Sequence, residues 1–190
     1  LQQAVMGLVD GSVQYYTDTG SGGTWQQQLA GTEPSINTMA VNWQSSGAPQ
    51  VVVGLGDSAV EYYNGSSWTE LHNNGWASNA RQLAANWTSS GELEVVVGLS
   101  SGAVEYYNSS NTSNGGWTEL QNTGWSTYVS TLAVNWQSSG APQVVVGLGD
   151  GAVEYYNGSS WTELHNNGWA SNARQLAANW TSSGELEVVV

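Results

Sequence analysis

The chain has 190 residues, 15 acidic and 2 basic, for a formal charge of −13, and it contains neither Cys nor Phe. So acidic a balance excludes recognition of phosphate backbones, which needs clustered Lys and Arg, and it disfavours anionic membrane surfaces. Without Cys there are no disulfides, thiolate metal sites or cysteine nucleophiles, and no apolar run approaches the length that inserts into a bilayer.

In chain order, Ala4 opens the stretch AVMGLVDGSVQYY, and the unit it begins ends at Gln50 in MAVNWQSSGAPQ. Val51 opens VVVGLGDSAVEYYNGSSWTELHNNGWASNARQLAANWTSSGELE, which ends at Glu94 and returns from Val144 to Glu187 with one change, Ser58 to Gly151. Between the two copies, Val95 begins VVVGLSSGAVEYYN and Gln143 ends LAVNWQSSGAPQ. Residues 1–190 therefore read as a single array of repeats, 4–50, 51–94, 95–143 and 144–187, with 188–190 starting a further one. The order is long, short, long, short, as if a two-unit cassette had been copied. Active sites are asymmetric, so this pattern points to equivalent binding sites or a scaffold, and not to an enzyme.

One unit yields four strands. Gln82 to Trp87 is a short apolar strand, and Glu94 to Leu99 is β-branched and strongly strand-forming. Ser101-Gly102 and Asp150-Gly151 are hairpin turns. Ala103 to Tyr107 alternates Val104 and Tyr106 with Glu105 and Tyr107, which predicts one apolar and one polar face. On that reading Glu61, Glu105 and Glu154 face solvent. Gly116 to Leu120 is the fourth strand. Four short strands per repeat is the size of a β-propeller blade, so the expected fold is all-β, a propeller of four-stranded antiparallel blades. A β-solenoid is the competing architecture. Val51–Val53 and Leu55 are expected in the blade core, with Trp68 and Trp76 and their copies wedged between blades. Trp43, Trp87, Trp136 and Trp180 each follow an Asn and read as packing residues. The chain begins and stops inside the same strand, which suggests four blades as part, or half, of a larger ring.

The stretch LAVNWQSSGAPQVVVGLGDGAVEYYNG, residues 132–158, resembles the FG-GAP/VCBS repeat of integrin-like propellers. That family's calcium loop, D-x-[DN]-x-D-G-x-x-D, sits between two apolar strands. In this frame Asn135, Gln137, Ser139 and Gln143 fall on the ligand positions, as do Asn42, Gln44, Ser46 and Gln50. The short units place Asn86, Thr88, Ser90 and Glu94 there, and Asn179, Thr181, Ser183 and Glu187. Amides and hydroxyls replace most carboxylates, whereas hard Ca²⁺ requires charged oxygen ligands. No cofactor is expected, and these loops read as turns held by Asn and Ser hydrogen bonds. The segments GDGAVEYY and GWTEL also resemble bacterial and fungal propeller lectins, which implies carbohydrate or cell-surface glycan as partner.

Sugar recognition needs an aromatic face and planar polar groups. The short units supply His72, Trp76, Asn79 and Arg81, repeated as His165, Trp169, Asn172 and Arg174. The two arginines are the chain's only cations, and each reads either as half of an ion pair or as a ligand-binding group. The long units carry Asn37 and Ser130 in their place, so only every second blade is expected to bind. Sequons occur at Asn64, Asn86, Asn108, Asn111, Asn157 and Asn179, candidate N-glycosylation sites. The reading is a non-catalytic extracellular binding or adhesion module, lectin-like. The alternative is a structural, self-associating subunit of an extracellular filament or surface layer that is itself glycosylated.

Overall fold

The computed structural model describes residues 2–18, 20–29, 34–73, 75–76, 78–121, 125–166 and 172–190. Its elements are β-strands apart from one short 3-10 turn at Ser113–Gly116. The strands form five antiparallel meanders, each ordered as the chain runs. The first sheet holds β1 (Gln2–Gly7), β2 (Val13–Asp18) and β3 (Gly23–Leu29), and the second β4 (Ile36–Asn42), β5 (Gln50–Leu55), β6 (Val60–Tyr63) and β7 (Trp68–His72). The third holds β8 (Ala80–Trp87), β9 (Leu93–Leu99), β10 (Val104–Asn108) and β11 (Trp117–Gln121). The fourth holds β12 (Val129–Asn135), β13 (Gln143–Leu148), β14 (Val153–Tyr156) and β15 (Trp161–His165), and the fifth β16 (Ala177–Trp180) and β17 (Leu186–Val189). The expected strands lie within a residue or two of these. Sheet boundaries fall between a fourth strand and the next first strand, so each sequence repeat spans the end of one sheet and the start of the next. No helix among the described residues is long and apolar enough to cross a membrane.

The chain divides into two compact units, residues 1–80 and 81–190. In the first, Val13, Val51, Val53, Leu55, Ala59 and Tyr63 form the core between the first two sheets, with Ile36, Met39 and Trp68 packed on it. In the second, Val96, Val104, Tyr106, Val129, Val144, Val146 and Leu148 form the core between the third and fourth. The second strand of the second, third and fourth sheets is buried on both faces, since Val52, Val96 and Val145 are as inaccessible as Val51 and Val95. This explains the unbroken VVV run: a strand covered on both sides has no reason to alternate.

Two recurrent contacts tie the sequence to this geometry. Tyr and Trp stand directly opposite each other on the last two strands of the first four sheets, as Tyr16–Trp25, Tyr63–Trp68, Tyr107–Trp117 and Tyr156–Trp161. Their ring centroids lie 5.1–5.2 Å apart, a favourable cross-strand aromatic pairing. Trp68 Nε1 then donates to the Gln28 carbonyl on the preceding sheet at 2.8 Å, and Trp161 Nε1 to that of Leu120 at 2.7 Å. These two tryptophans are wedges between sheets, as expected. Trp136 packs on the core of its unit, whereas Trp43 is 48% exposed and departs from the packing role.

The expectation that the strand glutamates face solvent is corrected. Glu105 and Glu154 are 7% and 8% exposed, and Glu61 is half-buried. Alternation within one strand carries no information about what covers the sheet from outside. Glu154 shares a cavity of about 160 Å³ with Trp125, which comes from the connection entering the fourth sheet.

Candidate functional site

The four loops that resemble calcium loops in sequence are closed on themselves. Asn42 Nδ2 donates to Gln50 Oε1 and Asn135 Nδ2 to Gln143 Oε1, each at 2.9 Å. In the short units Asn86 donates to Glu94 and Asn179 to Glu187, again at 2.9 Å. Gln44 adds a 3.2 Å bond to Gln50, and Gln137 Nε2 donates to the Asn135 carbonyl at 3.3 Å. Thr88 pairs with Ser90, and Thr181 with Ser183, at 2.8 Å, while Ser46 and Ser139 stand exposed in the turn. Gly47, Gly91, Gly140 and Gly184 turn the chain at φ of 84–85°, a region that glycine enters freely. Where the family pattern sets oxygens around an ion, an amide N–H here faces an acceptor. Tyr106 extends the network by donating to Glu94 at 2.5 Å. Among the described residues no group of three or more His, Asp or Glu could hold a metal ion.

The sequons divide by the same criterion. The Nδ2 atoms of Asn86 and Asn179 are engaged with glutamates, and that of Asn108 with Tyr106. Asn64 and Asn157 are exposed, and their Oδ1 atoms hold the turn by accepting from Ser66 and Ser159. Asn111 Oδ1 likewise accepts from the Ser113 backbone at 2.9 Å.

The structure rearranges the set of residues expected to bind sugar. In the first unit His72 and Trp76 stack on each other, ring centroids 3.5 Å apart and nearly parallel. A face of the Trp76 indole expected to meet a sugar is therefore covered by His72. Burial pushes the His72 imidazole below its usual range, a hydrogen bond with the Ser58 backbone opposing the shift. Ser58 also donates through Oγ to the Trp76 carbonyl at 2.9 Å. Asn79 is exposed beside Ala80. Of the second copy, Trp169 lies outside the described residues, and His165 ends β15 half-buried.

The arginines behave differently. In the second unit Arg81 and Arg174 line one cavity of about 860 Å³ together with Tyr128, Ser130, Asn172 and Gln175. Arg81 lays its guanidinium over the Tyr128 ring, 4.2 Å from the centroid, within the range of a cation–π contact. Asn172 Nδ2 donates to the Tyr128 hydroxyl at 2.7 Å. Tyr128 thus holds Arg81 by its face and Asn172 by its edge. Ser130 Oγ donates to the Gly147 carbonyl at 2.8 Å and also bonds the Ala173 carbonyl. This fixes the backbone beside Arg174. Asn37 plays the matching part in the first unit, donating to the Ala80 carbonyl at 3.1 Å. The residues that replace Arg in the long units are therefore backbone tethers.

The sequence places one Arg in each short repeat, and the described structure brings both to one cavity. Tyr128, Ser130 and Gln175 were absent from the expected set. Tyr128 occupies the repeat position that Asn79 and Asn172 hold in the short units. An aromatic replacing an amide beside the Arg position was the signal available for it.

These features define an all-β protein of the β-propeller class, built of four-stranded antiparallel blades. Among solved structures, the chain superposes on Sqt1 of Saccharomyces cerevisiae with a TM-score of 0.65 at 19% identity, over 92% of this chain and 49% of that one. Sqt1 of Chaetomium thermophilum gives 0.66 at 16% identity, over 97% and 52%. The computationally designed Ika8 protein gives 0.60 at 20% identity, over 97% and 54%. The chain thus spans about half the length of these three structures. No protein family matches the sequence, and no curated protein does.

Proposed function

We propose that the chain is a non-catalytic, extracellular carbohydrate-binding module whose binding site is the cavity of Arg81 and Arg174. The observation that carries this reading is the convergence of the chain's only two cations, from two different repeats, on one cavity. That cavity also presents the planar amides of Asn172 and Gln175. Guanidinium and amide groups bind vicinal hydroxyls in pairs, which is the usual chemistry of sugar recognition. The cavity volume lies within the range of small-ligand sites. Kinship with FG-GAP/VCBS repeats belongs to the same proposal and is supported by the loop frame at 42–50, 86–94, 135–143 and 179–187.

The test is a glycan array probed with the protein and with the double variant Arg81→Ala, Arg174→Ala. Both side chains are exposed, so the variant is expected to keep its β-sheet circular dichroism and lose its hits. An array blank for the unaltered protein, together with ordered assemblies in the electron microscope, supports a structural role instead.

A further inference from the structure

The distribution of charge in the second unit says more about the ligand. The chain carries 15 carboxylate side chains and 2 guanidiniums. Both guanidiniums line the 860 Å³ cavity, and among the described residues no Asp or Glu does. Here Arg81 rests on the face of the Tyr128 ring, 4.2 Å from its centroid, a contact that does not itself use the N–H fork of the guanidinium. Two like charges lining one cavity repel, and a bound anion relieves that repulsion. Planar N–H forks match the two oxygens of a carboxylate in a bidentate pair.

The rest of the surface sets a second condition. With a net charge of −13, the molecule repels a polyanion running beyond the cavity. A single carboxylate at the end of an otherwise neutral chain satisfies both conditions. Resting on the carbohydrate reading above, we infer that the ligand is a glycan terminated by one acidic sugar, whose carboxylate sits between Arg81 and Arg174. The amide of Gln175 and the Oδ1 of Asn172, whose Nδ2 donates to Tyr128, then serve the neighbouring hydroxyls.

The experiment uses neutral oligosaccharides capped by a hexuronic acid or by sialic acid, each paired with its carboxyl methyl ester. The ester keeps every hydroxyl and removes the charge. Binding is followed by titration calorimetry with the full chain and with Arg81→Gln and Arg174→Gln. The expected result is that an acid form binds roughly tenfold or more tighter than its ester, the scale of one lost charged hydrogen bond. Each Gln variant is expected to erase that preference, with circular dichroism unchanged. Equal affinity for acid and ester overturns the inference and leaves the carbohydrate reading standing. Absence of binding by every acid, every ester and every neutral parent overturns the carbohydrate reading and the inference with it.

Discussion

Glu105 and Glu154 each stand opposite another glutamate, Glu119 and Glu163 respectively, on the adjoining strand. Burial, reinforced by that neighbouring charge, pushes the Glu105 carboxyl up to about 7. Burial does the same for Glu154, with Glu163 and Asp150 adding to it. The unfolded chain releases these protons near 4.5, the ordinary value. Between about pH 4.5 and 7 the folded state therefore binds more protons than the unfolded state, and stability falls as pH rises through that window. Thermal unfolding is expected at a higher temperature at pH 5 than at pH 8. In Glu105→Gln and Glu154→Gln, each free of one titrating group, the difference shrinks. A midpoint that rises with pH in the unaltered chain contradicts this account. At the same scale, the one difference between the two copied repeats falls on a left-handed turn position, with φ 79° at Ser58 and 91° at Gly151. The hydrogen bond from Ser58 to the Trp76 carbonyl offsets part of the cost of holding serine there.

At the scale of the strand, the VVVGL motif combines two demands that the sequence displayed only in part. The valines were legible as core because a β-branched run flanked by turns reads as a buried strand. The glycine was not, since its role depends on the next sheet. A Cβ at Gly98 would lie 2.5 Å from Cγ1 of Val129, and one at Gly7 2.6 Å from Cγ2 of Ile36. The glycine lets the first strand of the following sheet approach the strand that carries it. Val129 is fully buried and has no room to yield. Gly98→Ala is expected to destabilise the fold by about 1–3 kcal/mol through overpacking. Urea unfolding checks this, and a variant as stable as the parent would show that the two strands are free to separate. Strand number, order and approximate ends were visible in the repeat because turns and β-branched runs are local signals. The burial of the glutamates was hidden because it depends on neighbours outside the sheet.

For the molecule as a whole, the duplicated sequence suggests two sites, whereas the proposed site is a single cavity lined by both arginines. Two matching sets, His72 to Arg81 and His165 to Arg174, suggested two equivalent sugar sites. A propeller places equivalent positions of successive blades near one another, so residues far apart in the chain share one cavity. Arg81 comes from the third sheet's first strand, Tyr128 precedes the fourth's and Arg174 precedes the fifth's. The repeat array identified the arginines as exceptional, and the structure places both on one cavity; the proposal is therefore one site per chain. Titration calorimetry with the tightest-binding glycan measures this directly through its stoichiometry. One ligand per chain, abolished by Arg81→Gln or by Arg174→Gln alone, is the predicted result; two ligands per chain, with each substitution removing only one of them, would contradict it.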